Sequence, residues 1–324
     1  MAACARLAAR ARPASRPNPG VAALLVRDGR VIARGWTREG GRPHAEAVAL
    51  SGLGAGEAHG ATLYVTLEPC AHRSERGPAC ADLVVAARPA RVVIGQRDPD
   101  PRTAGQGIER IARAGIAVEL LDDEASRESL AGYLVRTVTG RPQVTLKLAL
   151  SIDGCIALSD GSSQWITGER ARAHVHARRA RADAILVGGK TWRADRPGLD
   201  VRLPGLEHRS PQRVLLTRGV APDGVRVINR PEQIADLDGV LHLYVEGGAV
   251  AAASFLERDL VDELHIYRAP IVIGDGQRAL AGWGLASLDE AHGRWQLRET
   301  RQLGSDIFTA YGRTRTQERE CLQA

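Results

Sequence analysis

At 324 residues the chain is longer than one hydrophobic core usually serves, so two domains of about 150 residues each are the default expectation. Its 44 basic and 38 acidic side chains leave a formal charge of +6, a mixed surface rather than a basic stripe. Aromatic residues make up only 4% of the chain, too few for the stacking platforms that hold single strands, and no run approaches the ~20 apolar residues of a membrane span. These numbers argue against nucleic acid and membrane as partners and leave small acidic molecules, phosphates among them, as candidates.

Only Lys147 and Lys190 are lysines; the remaining basic residues are arginine, a bias that codon usage explains. The five cysteines, Cys4, Cys70, Cys80, Cys155 and Cys321, are an odd and sparse set that suits a reducing compartment, and the cytoplasm is the expected location. Residues 1–12, rich in Arg and Ala, lack an apolar h-region and run into Pro17-Asn18-Pro19-Gly20, so they read as a first helix of the fold rather than a transit peptide.

In chain order, residues 21–26 read as a strand, Asp28-Gly29 as a hairpin turn and 31–36 as the returning strand. Pro43 opens a helix over 45–53. Residues 62–67 read as strand, 81–87 as helix, 91–94 as strand, 108–114 as helix and 117–121 as strand. Residues 137–142 (Thr-Val-Thr-Gly-Arg-Pro) break the pattern and mark a boundary between domains 1–140 and 141–324. Beyond it come strand 143–149, helix 169–181, strands 184–187, 213–217 and 240–245, helix 249–257 and strand 263–273. Alternation of strand and helix in both halves predicts α/β layers.

The chemistry of the first half concentrates in His44-Ala45-Glu46, Glu68-Pro69-Cys70 and Cys80. One imidazole and two thiolates are the three protein ligands of a catalytic zinc, whose fourth position takes a water with its pKa lowered to about 7, and Glu46 is a spare carboxylate able to carry protons. A His-x-Glu pair alone has about even odds of arising by chance in a chain with nine histidines, but its conjunction with a Cys where a strand gives way to a helix does not. Two residues apart on a regular helix point about 200° away from each other, so both can address one metal only if the helix starts near His44. Nucleobase deaminases pair His-x-Glu with Pro-Cys-x-x-Cys, the Glu serving as general acid and base. Here the cysteines are ten apart.

The run Thr66-Leu67-Glu68-Pro69-Cys70-Ala71-His72 with the delayed Cys80, together with Pro17-Asn18-Pro19, residues 35–46, Asp98-Pro99-Asp100-Pro101 and Ala104-Gly105-Gln106-Gly107, resembles the deaminase half of a riboflavin-biosynthesis family. Its members are bifunctional diaminohydroxyphosphoribosylaminopyrimidine deaminase / 5-amino-6-(5-phosphoribosylamino)uracil reductases. The resemblance continues through Lys147 to Gly154, Ser163 to Thr167, Gly188-Gly189-Lys190-Thr191, Asp195-Arg196-Pro197, Leu199 to Arg202 and Tyr244 to Ala249, nearly the whole chain. It implies a cytidine-deaminase-like three-layer αβα domain followed by a dihydrofolate-reductase-like α/β domain. One zinc per chain would be held by His44, Cys70 and Cys80, with Glu46 as catalytic proton shuttle and Asn18, Arg76 and Asp98 as substrate contacts. In the second half it implies NADPH against Ala149, Trp165, Thr191, Asp195, Gly248 and Ala249, and substrate against Ser163, Arg179, Leu199, Arg202 and Glu246. Arg179 and Arg202 suit a ribose phosphate, since a guanidinium fork can hold it bidentately. Lys147 is expected to order the reductase site through its charge. The implied reactions are zinc-hydroxide deamination of 2,5-diamino-6-(5-phosphoribosylamino)pyrimidin-4(3H)-one and NADPH reduction of the aminouracil product from ribosyl to ribityl, in a homodimer.

This chain departs from the family in a Cys70 to Cys80 loop one residue longer than usual, in Thr37 where many members have histidine, in Asp100 for asparagine and in Arg196 for aspartate. Gly274-Asp275-Gly276-Gln277-Arg278-Ala279 fits a loose dinucleotide fingerprint but lies late in its domain with no acid closing a following strand, and it is read as a decoy. Two other classes fit parts of the pattern: a nucleic-acid base deaminase with an accessory domain, and a binding or regulatory protein with a degenerate site.

Overall fold

The computed structural model describes residues 1–72, 75, 77–220 and 222–315. They form two compact units that divide between Gly140 and Arg141.

In the first unit α1 (Ala2–Ala8) precedes a hairpin of β1 (Ala22–Arg27) and β2 (Arg30–Trp36). Asp28 and Gly29 both take positive φ at its tip (52° and 74°), the geometry of a tight hairpin turn. There follow α2 (Ala45–Leu50), β3 (Thr62–Leu67), α3 (Cys80–Ala87), β4 (Arg91–Gln96), α4 (Gln106–Arg113), β5 (Ala117–Leu120) and α5 (Glu124–Thr139). The sheet order is β2-β1-β3-β4-β5, with β1 antiparallel to both neighbours and β3, β4 and β5 parallel. Alternate side chains of β1 face opposite layers: Ala23 and Leu25 pack into the core with Ala45, Ala49 and Val84, while Ala22 and Leu24 pack on Cys4 and Ala8 of α1. Each fully buried Leu contributes about 1.5–3 kcal/mol relative to exposure, and Leu25 and Leu63 are both at 0%.

Helix α5 was not expected. Asp123 caps it by accepting from Ser126 N at 2.8 Å, and Gly140 ends it in the left-handed region at φ 76°. Residues 137–139, read from sequence as a break, are its last turn. Its buried positions include Ser126, Leu130 and Leu134, a stripe too small and polar to register as amphipathic.

The second unit opens with β6 (Gln143–Leu150) and β7 (Cys155–Ala157), then α6 (Glu169–Arg179), β8 (Ala184–Gly188), α7 (Gly189–Asp195), β9 (Gln212–Leu216) and β10 (Arg226–Ile228). It continues with β11 (His242–Val245), α8 (Ala249–Glu257), β12 (Glu263–Arg268), β13 (Gln277–Arg278), β14 (Trp295–Leu303) and β15 (Asp306–Arg313). Eight strands join in the order β10-β9-β8-β11-β6-β12-β15-β14, parallel from β10 to β12 and antiparallel at the β12-β15-β14 edge. Phe255 of α8 lies in the core on one face with Leu146 and Val214; Tyr244, Tyr267 and Phe308 pack on the other against Ala171 and Val175 of α6.

Strand β12 stops at Arg268, short of the expected 273, because Pro270 cannot continue the ladder and Asp153 takes the N–H groups of Ile273 and Gly274 instead. The decoy at 274–279 has no helix after it, and a Cβ on Gly276 would lie 2.6 Å from Ala157 O. In parallel sheets ligands bind at the carboxyl ends of the strands where connections diverge, which directs attention to the ends of β6, β8 and β11.

Candidate active sites

His44 is the N-cap of α2, with extended backbone (φ −69°, ψ 164°), so its ring leaves the helix before the regular turn sets in and Glu46 follows within the first turn. The helix therefore starts where the joint use of His44 and Glu46 requires. Gly35 of β2 passes directly under this start: a Cβ there would stand 2.2 Å from Ala45 O. Cys80 opens α3, and Cys70 lies in the turn after β3.

His44 Nδ1 lies 3.3 Å from Cys80 Sγ and 3.6 Å from Cys70 Sγ, and the three donor atoms fall within 4.8 Å of one another. A tetrahedral centre with bonds of about 2.0 Å to nitrogen and 2.3 Å to sulfur sets those atoms about 3.5 Å apart, so the donor set fits zinc in type and in spacing. The Cys70 thiol is held low, chiefly by the hydrogen bond from the Cys80 side chain, while the same contact and burial push the Cys80 thiol up. Cys80 N also donates to Cys70 Sγ at 3.3 Å. Glu46 is 3% exposed, and burial pushes its carboxyl up to about 7.

Asn18 stands beside the ligands, its Nδ2 3.3 Å from His44 Nε2 and donating to Gly41 O at 3.1 Å. Gly41 (φ 82°) has no room for a side chain, since a Cβ would meet Asn18 Cγ at 2.5 Å. Asp98, 6% exposed, accepts at Oδ1 from Tyr133 OH at 2.7 Å and Asp100 N at 3.0 Å; burial pushes its carboxyl up to about 6. Arg76 lies outside the described residues. The unusual Thr37 is buried and accepts from Val21 N at 3.0 Å, tying strand end to strand end, and Asp100 pairs with Arg102. Sequence reading assigned nothing to Glu68 beyond its motif. In the structure its carboxylate gathers backbone N–H groups of Asp98, Gly105, Gly107 and Ile108.

In the second unit a cleft of about 1660 Å³ opens at the carboxyl ends of β6, β8 and β11. Lys147 and Ala149 line it from β6, Thr191 and Asp195 from α7, and Glu246, Gly248 and Ala249 from the turn between β11 and α8. Ser163, Trp165, Leu199 and Arg202 reach it from loops, and Arg179 from the end of α6. Gly248 is the N-cap of α8, and a Cβ there would be 2.8 Å from Thr191 Oγ1. Trp165 is 64% exposed with the Arg172 guanidinium 4.7 Å over its ring. Leu199 takes φ 52° and buries its side chain with Ile185, Val187 and Leu215, so what it presents to the cleft is backbone.

Arg179 is partly engaged within the protein. It lines the cleft, but its fork is committed to Glu246, with Nε donating to Oε1 at 2.6 Å and Nη2 to Oε2 at 2.9 Å, and Nη1 donates to Asp200 O at 3.0 Å. Arg202, its side chain 63% exposed and 3.4 Å from Asp200, is the freer guanidinium. Lys147 Nζ approaches Glu246 Oε2 at 3.7 Å. Burial pushes the Glu246 carboxyl up, but Lys147 and Arg179 outweigh it and hold the group below its usual range. A buried anion between two cations is the result, a partner pair 67 residues apart that no local pattern displays.

A family model described as the cytidine and deoxycytidylate deaminase zinc-binding region matches residues 1–96, and one described as the RibD C-terminal domain matches residues 142–309. The riboflavin biosynthesis protein RibD of Escherichia coli K12 is 36% identical over 95% of this chain and 96% of its own length. That of Corynebacterium ammoniagenes is 40% identical over 83% and 85%. Among solved structures, a diaminohydroxyphosphoribosylaminopyrimidine deaminase / 5-amino-6-(5-phosphoribosylamino)uracil reductase from Thermotoga maritima superposes with a TM-score of 0.85 at 30% identity, covering 96% of this chain and 97% of that one. Acinetobacter baumannii RibD gives 0.83 at 33%, covering 97% of each. The first unit thus has the cytidine-deaminase-like fold and the second the dihydrofolate-reductase-like fold of the RibD C-terminal domain.

Proposed function

Since this chain belongs to the RibD family of bifunctional deaminase/reductases of riboflavin biosynthesis, we propose that its first unit deaminates 2,5-diamino-6-(5-phosphoribosylamino)pyrimidin-4(3H)-one and its second reduces the product with NADPH. The observation that carries the reading is the cluster of His44 Nδ1, Cys70 Sγ and Cys80 Sγ with the buried Glu46 beside it, in a chain that also holds the glycine-lined cleft.

His44, Cys70 and Cys80 would hold zinc. When bound, zinc supplies a Lewis acid that brings a water to ionise near neutral pH. Glu46 takes the water proton and hands it to the departing amino nitrogen, a task its burial beside the ligands suits and for which it is free, being no ligand itself. Asn18 and Asp98 hold the pyrimidine, and Arg76 is the basic contact its loop offers.

In the second unit NADPH supplies the hydride. Gly248 and Ala249 at the start of α8, together with Ala149, Trp165, Thr191 and Asp195 along the cleft, would hold NADPH. Glu246, kept anionic by Lys147 and Arg179, accepts hydrogen bonds from the ribosyl hydroxyls; Ser163, Leu199 and Arg202 complete the sugar-phosphate side. Arg179 serves here by fixing Glu246.

Two variants test this division on the full chain. Glu46→Gln should lower ammonia release by about 10²–10⁴-fold with zinc retained and reduction of supplied aminouracil phosphate intact. Lys147→Met should do the reverse. Wild-type ammonia release in the first, or wild-type reduction in the second, removes that residue's role. The reading also places the protein in the cytoplasm as a homodimer, and light scattering at a single-chain mass would refute the dimer.

A further inference from the structure

Glu68 lies two residues before Cys70, has no part in the metal or proton chemistry above, and is only 2% exposed. Its carboxylate accepts four backbone N–H groups, all from one stretch of chain. Asp98 N at 3.3 Å and Gly105 N at 3.0 Å donate to Oε2, and Gly107 N at 3.0 Å and Ile108 N at 3.1 Å to Oε1. Gly107 and Ile108 belong to the first turn of α4, whose N–H groups have no partner within the helix and whose dipole favours an anion. The stretch is pressed against the Glu68 turn: a Cβ on Gly107 would stand 2.0 Å from Pro69 O. Glu68 N, in turn, donates to Gln96 O at 2.9 Å, two residues before Asp98.

We propose that Glu68 is a positioning residue of the deaminase, the template on which residues 98–108 fold, and that it thereby sets Asp98 on the substrate side against Cys70 on the metal side. No regular element spans residues 97–105, so strand pairing cannot hold Asp98 in place. The Asp98 carboxyl is steadied by Tyr133 and by Asp100 N, but its backbone hangs on Glu68. A carboxylate suits the task because its two oxygens accept at four sites and it brings no donor of its own. Glutamine at this position offers one oxygen and turns an NH2 toward two of the four N–H groups, leaving those donors buried and unsatisfied.

The inference rests on Asp98 being a substrate contact, and Asp98→Asn is therefore run beside it. The measurement is steady-state deamination of the diaminopyrimidinone phosphate by the zinc-loaded full chain, with zinc content and the reductase reaction of the same preparation as internal controls. Glu68→Gln should raise KM about tenfold or more with kcat held within about threefold, one zinc per chain retained and reductase unchanged. Glu68→Asp, which keeps the charge one methylene short, should show a smaller rise in KM and stands in if the glutamine variant does not fold. Loss of zinc, a fall in kcat at constant KM, or no change in either would overturn the positioning role. An Asp98→Asn variant with unaltered KM would overturn the reading of Asp98, and with it the route through which Glu68 is held to act; a raised KM in Asp98→Asn alone would overturn the role of Glu68 only.

Discussion

Glu46, Asp98 and Glu246 are all buried carboxyls, and their surroundings set them to different tasks. Burial pushes Glu46 up to about 7 and Asp98 up to about 6, while Lys147 and Arg179 hold Glu246 down despite its own burial. For Asp98 this has a consequence for stability. The folded protein keeps its proton up to about pH 6, whereas the unfolded chain releases it near 3.8, so the native state binds more protons between those values and stability falls as pH rises through that window. Asp98→Asn keeps an oxygen for Tyr133 OH and Asp100 N without the charge. Its Tm should exceed that of the wild type by about 2–4 °C at pH 8, with the advantage gone at pH 4, while the deaminase KM rises. A Tm difference independent of pH would show that the Asp98 carboxyl is not perturbed as described. The cluster of His44, Cys70 and Cys80 and the nearby Glu46 were legible in the sequence because ligand chemistry is carried by residue type and spacing. The Arg179 to Glu246 fork and the four-donor embrace of Glu68 were not, because each joins residues distant along the chain.

At the scale of elements, the start of α2 carries the metal site, and its placement depends on the strand beneath it. Gly35 leaves β2 bare where the Ala45 carbonyl crosses. Gly35→Ala should displace the N-terminus of α2, move His44 away from Cys70 and Cys80, and reduce zinc content below one per chain, read by metal analysis of purified protein; full zinc occupancy would show that the helix start tolerates the shift. Strands β1, β3, β4, β8 and β11 and helix α8 were legible as apolar runs between turn residues. Helix α7 and strand β10 are short, and β14 is an edge strand with no fully buried residue and with Arg298, Glu299 and Arg301 in its middle, so none of them has an apolar signature. Helix α5 escaped notice because it buries a serine and a glycine among its leucines.

For the whole molecule, the order of motifs was the most informative feature of the sequence. Neither the zinc triad nor the glycine turn before α8 is specific alone, but a deaminase-like unit over residues 1–140 followed by a reductase-like unit from 141 narrows the chemistry to consecutive steps on one phosphorylated pyrimidine. The longer loop between Cys70 and Cys80 leaves the ligand cluster intact, with its three donor atoms within 4.8 Å. The most direct test supplies the diaminopyrimidinone ribosyl phosphate to the zinc-loaded full chain and follows both products by chromatography, with and without NADPH. Without NADPH, ammonia and the aminouracil ribosyl phosphate should accumulate in equal amounts, and on adding NADPH the ribosyl product should be converted to the ribityl compound with one NADPH oxidised per molecule. Failure to release ammonia, or an aminouracil that NADPH leaves unreduced, would contradict the assignment of two successive reactions to this chain.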